Sequence, residues 1–261
     1  MVKVGGAAGN GAAGVLDDLA ARKDYVLVHG GSEEIDKLSA ALGRPTSYYT
    51  SPSGVRSRRC DPAQMETIVL ALAGKVQTEL VAGLGARGVR AVGLSGVDGR
   101  LLIARRKTGV RAVVDGKVLH LADDLAGSVE RVDAGLLRGL MDLGVAPVVG
   151  PPATTSEGLV VNVDADAVAA AVAGSLGAEA LLLLTNVPGL LRSPDDPATV
   201  IPQVPRDGID RALALAQGRM KKKVLAARHA LEQGVGRVVI GPSQVPDPVG
   251  RALDGAGTVF A

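Results

Sequence analysis

Three consecutive lysines, Lys221, Lys222 and Lys223, lie in a segment whose apolar residues recur at helical spacing. At about 100° per residue the three side chains point in different directions. Met220, Val224, Ala227, Ala230 and Leu231 define one apolar stripe, and Lys223 falls inside it, between Ala227 and Ala230. Lys222 projects with His229 on the far side and Lys221 lies near Arg228 and Glu232, so these two read as surface groups. An ammonium on a core-facing stripe either reaches water along its aliphatic stem or meets a buried anion. The segment Val161-Asn162-Val163-Asp164-Ala165-Asp166 offers such an anion at the start of an Ala-rich helix. Asp164 suits the capping position, which leaves Asn162 and Asp166 for other work. An aspartate held between two lysines keeps both ammonium groups charged and aimed. Lys3 and Lys223 are the natural pair for Asp166.

Two glycine pairs follow short apolar runs. Lys3-Val4 leads to Gly5-Gly6, and Tyr25–Val28 leads through His29 to Gly30-Gly31. Glycine admits an anion close to the backbone, and free N–H groups there bind phosphate oxygens. For either pair alone, a tight strand-to-helix turn is the competing reading. Gly9-Asn10-Gly11-Ala12-Ala13-Gly14 also matches G-x-G-x-x-G, with Glu33 downstream, as in dinucleotide sites. That fingerprint should begin at a strand end, whereas Gly5 to Ala8 intervene, and it gives the lysines nothing to do.

These residues need a scaffold. Strands are expected at Val2–Val4, Tyr25–His29, Arg90–Leu94, Val145–Val149, Ala180–Leu184 and Arg237–Ile240. Helices are expected over Ala13–Arg22, Glu33–Leu42, Pro62–Gly83, Ala134–Leu143, Ala165–Leu176, Ile209–Ala216 and Arg219–Gln233. The alternation predicts an α/β fold, a three-layer αβα sandwich around a mostly parallel central sheet. Leu101–Arg106, Gly109–Val114 and Lys117–Leu119 read as a small hairpin/meander insertion turning at Asp115-Gly116. No linker separates two domains, so residues 1–261 read as one. Ligands in such sheets sit beyond the carboxyl ends of the strands, where both glycine pairs fall.

Composition narrows the function classes. The 261 residues carry a net charge of +2 and only 2% aromatics, which argues against a nucleic-acid partner. The single cysteine, Cys60, excludes an internal disulfide and fits a reducing cytoplasm. The longest uncharged apolar stretch, Ala167–Ala178, is short of the roughly 20 residues a bilayer needs, so no membrane association is expected.

With Lys3-Val4-Gly5-Gly6, His29-Gly30-Gly31, Asn162 to Asp166 and the late Lys223 assembled, the chain resembles the amino acid kinase family, in its acetylglutamate kinase-like branch. The likeness runs nearly end to end. Ala216-Gln217-Gly218-Arg219-Met220-Lys221-Lys222-Lys223 and Leu94-Ser95-Gly96-Val97-Asp98-Gly99-Arg100 are similar to the aminoadipate/glutamate kinases that act on an amino-group carrier protein. Acetylglutamate kinase acting on the free molecule is the near alternative. A non-catalytic amino-acid sensor on the same fold is the distant one.

The resemblance implies ATP and Mg²⁺, with the metal held mainly by phosphates rather than by protein ligands. It implies that Lys3 and Lys223 neutralise the phosphoryl group in flight, that Asp166 organises both, and that Gly5, Gly6, Gly30 and Gly31 surround the phosphate. Arg58 and Asn162, with Gly30 and Gly31, match positions that hold the amino acid. Thr185, Asn186, Val187, Gly189, Gly218 and Met220 match the nucleotide side, which is expected over 185–189 and 206–219. Residues up to about 178 would form the amino-acid half and about 179–261 the nucleotide half. A cytoplasmic homodimer is implied too. Two basic clusters, Arg56, Arg58 and Arg59, then Arg105, Arg106, Lys107 and Arg111, suit an acidic carrier, with Arg105, Arg106 and Lys107 as its binding residues. Solubilising surface charge is the competing explanation. Cys60 stands where this branch usually has Thr, which bears on the shape of the substrate pocket. Replacing Lys223 or Asp166 is expected to lower turnover far more than stability.

Overall fold

In the computed structural model, residues 1–6, 11–52, 54, 56–114 and 117–261 are described, Val114 before the last gap by its backbone. Part of the G-x-G-x-x-G match and the Asp115-Gly116 turn therefore lie outside the described residues. Along the chain come β1 (Val2–Val4), α1 (Ala13–Ala20), β2 (Leu27–His29), α2 (Ser32–Ala41), β3 (Tyr48–Thr50) and β4 (Arg56–Arg58). Helix α3 (Pro62–Val69) runs through a π-helical stretch, Leu70–Val76, into α4 (Gln77–Gly85). Next are β5 (Ala91–Ser95), β6 (Leu102–Arg106), β7 (Arg111–Val114), β8 (Lys117–His120), β9 (Gly127–Val132) and α5 (Ala134–Asp142). Then follow β10 (Ala146–Gly150), β11 (Pro152–Thr154), β12 (Val160–Asn162) and α6 (Ala165–Leu176). The chain ends with β13 (Ala180–Thr185), β14 (Gln203–Val204), α7 (Ile209–Leu215), α8 (Gly218–Glu232), β15 (Arg237–Pro242), α9 (Pro248–Leu253) and β16 (Thr258–Phe260).

Among the described residues the main sheet has eight strands in the order β14-β16-β15-β13-β1-β2-β10-β5. From β15 to β5 every neighbouring pair is parallel. At the other edge β16 runs antiparallel to β15, and β14 follows β16. Alternation sorts the side chains to two faces. Leu181, Leu183, Val238 and Ile240 pack with α5, α6, α7 and α8, whereas Leu182, Leu184 and Val239 pack with α1, α4 and α9. Both faces are covered, so β13 reads as an unbroken apolar run. The expected three layers are present.

The meander is not. Strands β7 and β8 form a two-stranded sheet of their own, while β6 pairs with β9 and β11 in a separate four-stranded sheet, β12-β11-β6-β9. Hydrophobic patterning marked β6, but a strand's partner depends on chain segments distant in sequence. The β3–β4 hairpin was missed because its strands are short and polar.

The helical run Pro62–Gly85 is, by length and composition, long and apolar enough to cross a membrane, which qualifies the expectation built on Ala167–Ala178. Its Met65, Ile68, Ala71, Leu72, Leu80 and Leu84 are buried in the protein, and Glu66, Lys75 and Glu79 are exposed. Charges along the outward face suit water better than lipid.

Candidate active site

The carboxyl ends of β1, β2 and β13 and the start of α6 and α8 open onto a cavity of ≈ 480 Å³. Lys3 is the middle residue of β1, next to β13 on one side and β2 on the other. Its Nζ lies 2.7 Å from Asp166 Oδ1, at the first turn of α6. Lys223, on α8, donates to the same carboxylate at 3.1 Å and 2.9 Å. All three side chains are buried: Lys3 is 4% exposed, Asp166 6% and Lys223 7%. Lys223 thus faces a buried anion and does not reach out to water. Burial alone would raise the Asp166 carboxyl, but Lys223 and Lys3 reverse this and hold it well below the usual carboxylate range. Burial pulls Lys3 below its ordinary value, Asp166 opposes this, and Lys223 reinforces it. Two ammonium groups and one carboxylate leave a net positive centre at the cavity wall, aimed at an anion.

The glycine pairs meet at this wall. A Cβ on Gly6 would fall 1.8 Å from the Gly31 amide nitrogen, and one on Gly31 would strike Leu72 Cδ2 at 2.3 Å. No side chain fits at either position. The four glycines are not equivalent as donors, which corrects the expectation. Gly5 N–H donates to Leu184 O at 3.0 Å and Gly30 N–H to Val4 O at 3.1 Å, so both amides are spent within the sheet. Gly6 and Gly31 also line the cavity, and among the described residues no backbone hydrogen bond engages their amides. His29 Nδ1 donates to Gly30 O at 3.1 Å. Burial holds the His29 imidazole below its ordinary pKa, and Lys3 adds to this against the hydrogen bond to Gly30.

On one side of the cavity stands the β3–β4 hairpin. Arg58 Nη1 donates to Asp36 Oδ1 at 2.6 Å and Thr46 Oγ1 at 2.8 Å, and Nη2 to Ser32 O at 3.1 Å. Its guanidinium lies 5.1 Å from the Tyr48 ring centre, and that of Arg56 lies 4.4 Å away. Asn162 Nδ2 donates to Cys60 Sγ at 3.3 Å. Arg58, Asn162, Cys60 and Tyr48 all line the cavity. On the opposite side are Thr185, Asn186, Val187, Gly189 and Met220. Gly218 does not border the cavity. Its φ of 52°, in the left-handed region, turns the backbone into α8. Arg206 is elsewhere, donating to Leu231 O at 2.9 Å.

Of the three expected carrier-binding residues, Lys107 lines the cavity and is exposed. Arg105 is exposed and lies 3.3 Å from Glu130. Arg106 donates to Asp124 O at 2.9 Å and Ala122 O at 2.5 Å, so it braces a loop.

Lys222 was misplaced by sequence reasoning. It lines the cavity, half-buried, with Nζ 3.2 Å from Asp164 Oδ2. Asp164 caps α6 as expected, its Oδ1 accepting from Asp166 N at 2.9 Å. A helical wheel drawn for α8 alone gave Lys222 a direction but not its neighbour. A short aromatic run before Ser-Pro-Ser-Gly, at Tyr48-Tyr49-Thr50, was the signal that could have found the hairpin.

The model of the amino acid kinase family matches residues 1–242. A LysW-aminoadipate kinase of Deinococcus radiodurans is 47% identical over 265 residues, covering 100% of this chain and 91% of that one. The LysW-aminoadipate kinase of Thermus thermophilus is 45% identical, covering 99% and 98%. An acetylglutamate kinase of Methanopyrus kandleri is 40% identical over 247 residues, covering 92% and 93%. Among solved structures, an N-acetylglutamate synthase from Neisseria gonorrhoeae, complexed with coenzyme A and N-acetyl-glutamate, superposes with a TM-score of 0.77. It is 28% identical, with all of this chain and 58% of that one covered.

Proposed function

Because this chain belongs to the amino acid kinase family, we propose that it uses ATP to phosphorylate the side-chain carboxylate of 2-aminoadipate or glutamate whose amine is linked to a small acidic carrier protein. The observation that carries this reading is the buried Lys3–Asp166–Lys223 centre facing the cavity. The substrate carboxylate oxygen attacks the γ-phosphorus of ATP. The bond from that phosphorus to the β–γ bridging oxygen breaks, giving an acyl phosphate and ADP. Lys3 and Lys223 stabilise the negative charge on the transferring group and on the departing oxygen. Asp166 keeps the two cations aimed, and the Gly6 and Gly31 amides complete the cradle. The attacking group is already an anion, so no general base is needed.

Arg58 and Asn162 hold the amino acid, while Thr185, Asn186, Val187, Gly189 and Met220 border the nucleotide. The amino-acid half extends to about residue 178 and the nucleotide half over about 179–261, with α8 shared between them. Among the described residues no group of three His, Cys, Asp or Glu could hold a metal, and Asp164 and Asp166 are both paired with lysines. In this reading the described residues offer no metal cage, and Mg²⁺ enters with ATP as part of that substrate. Lys107 and Arg105 favour the approach of the acidic carrier. A cytoplasmic homodimer completes the reading.

The test is an ATP-dependent hydroxamate assay comparing carrier-linked aminoadipate, carrier-linked glutamate and free N-acetylglutamate. Hydroxamate from a carrier-linked substrate is expected. Hydroxamate from free N-acetylglutamate alone would overturn the carrier reading in favour of an acetylglutamate kinase.

A further inference from the structure

Lys3, Asp166 and Lys223 meet on one face of the main sheet, and a buried histidine stands on the other. In β2, Leu27 packs with α1, α4 and α9, whereas Val28 packs with α6 and α8. Alternation turns His29 to the same face as Leu27. The parallel pairing of β1 with β2 sets Val28 beside Lys3 and His29 beside Val4. Lys3 therefore faces α6 and α8, and His29 faces away from them. Its ring fits closely there. The side chain is fully buried, and a Cβ on Gly150 would come 3.1 Å from both His29 Nε2 and the Gln77 side chain. Glycine at position 150 thus makes room for an imidazole beside the first residue of α4. Among the described residues Nε2 has no hydrogen-bond partner. A buried polar atom left in that state costs stability, so packing alone would favour an apolar side chain over His29.

The hydrogen bond from Nδ1 gives the ring a different task. Nδ1 lies 3.1 Å from Gly30 O, and since a carbonyl oxygen only accepts, the proton is on Nδ1. Gly30 O and the Gly31 N–H belong to one planar trans peptide and point in opposite directions. Drawing that oxygen to the α1/α4 side turns the N–H to the α6/α8 side, where Lys3, Asp166 and Lys223 stand. Among the described residues neither end of this peptide makes a backbone hydrogen bond. A glycine on each side of it leaves the plane free to rotate. The imidazole is thus what sets its direction.

We infer that His29 is a positioning residue that turns the Gly30–Gly31 peptide so that the Gly31 N–H points at the transferring phosphoryl group. The inference rests on the phosphoryl transfer proposed above and deepens it. His29 touches no substrate and acts through the amide it aims.

The test compares two amides at position 29, using whichever of the three acceptors the wild type phosphorylates in the hydroxamate assay. Failure of the carrier reading and failure of the His29 role are then distinguishable. His29→Asn can place its amide nitrogen where Nδ1 stands, whereas the longer His29→Gln reaches the Nε2 position and leaves no donor to Gly30 O. His29→Gln is expected to lower kcat about 10- to 100-fold while moving the KM for ATP and for the acceptor less than about threefold. His29→Asn is expected to recover most of the loss. Inhibition by ADP with aluminium fluoride, a mimic of the phosphoryl group in flight, should weaken about 10- to 100-fold in His29→Gln, and inhibition by ADP alone should move less than about threefold. Should His29→Gln fail to fold, His29→Ala takes its place. An unchanged kcat, a loss shared equally by the Asn and Gln variants, or a loss confined to KM or Tm would overturn the role. A wild type that phosphorylates none of the acceptors overturns the proposed function itself, and the role of His29 with it.

Discussion

Two sets of cations border one cavity, and their surroundings differ. Lys3 and Lys223 are buried and share Asp166, whereas Arg56, on the hairpin, and Lys107, just after β6, stand exposed, with Arg105 exposed beyond the cavity lining. Burial makes charge strong because the surrounding dielectric is low and water does not compete. Exposure leaves a charge weak in place but able to draw an acidic partner from a distance, in a salt-dependent way. Both sets consist of basic side chains. In the proposed reading, environment suits the first set to the chemistry and the second to the encounter.

The largest effects should come from the buried centre, and its members should fail differently. Lys223→Met is expected to lower kcat by about 10²- to 10³-fold or more while leaving Asp166 paired with Lys3, so thermal stability should change modestly. Asp166→Ala should lose activity and also about 3–5 kcal/mol of stability, because it leaves two buried ammonium groups facing each other. This revises the expectation that both substitutions spare stability. Thermal denaturation alongside the hydroxamate assay separates the two, and equal stability of the variants would break the account of the centre.

The next effect is one of pH. His29 is buried and its folded-state pKa lies below the unfolded value, so the unfolded state binds the extra proton first. Stability should therefore be full above about pH 6.5 and decline as pH falls below it. Urea midpoints between pH 7 and pH 5 should show the decline in the wild type and less of it in His29→Gln.

At the rim, Arg105→Ala with Lys107→Ala should raise the KM for the carrier about 3- to 10-fold at low salt, and much less at high salt. A salt-independent change would remove the contrast between rim and centre. The smallest effect is expected at Cys60. Cys60→Thr keeps a group able to accept from Asn162 and donate to Arg58 O, so KM should move less than about threefold. The wild-type thiol, raised to about 11, should resist alkylation at pH 8.

Legibility followed burial. The strands β1, β2, β5, β10, β13 and β15 were readable because continuous apolar runs mark strands covered on both faces. Lys223 was readable because one ammonium interrupts an apolar stripe. The β3–β4 hairpin was not, since polar strands at a cavity edge carry no such pattern. Lys222 was assigned to the surface because its partner, Asp164, belongs to another helix.

The sequence by itself determined the layers, the glycine turns and the chemical types at the site, since these depend on local periodicity and on residues that tolerate close backbone approach. The sequence also paired Lys3 and Lys223 on Asp166, and only the tertiary structure decided which glycine amides are spent within the sheet, which sheet β6 joins, and that Lys222 meets Asp164 at the cavity. Those outcomes depend on distances between residues remote in sequence, and packing of the sheet and helices sets such distances.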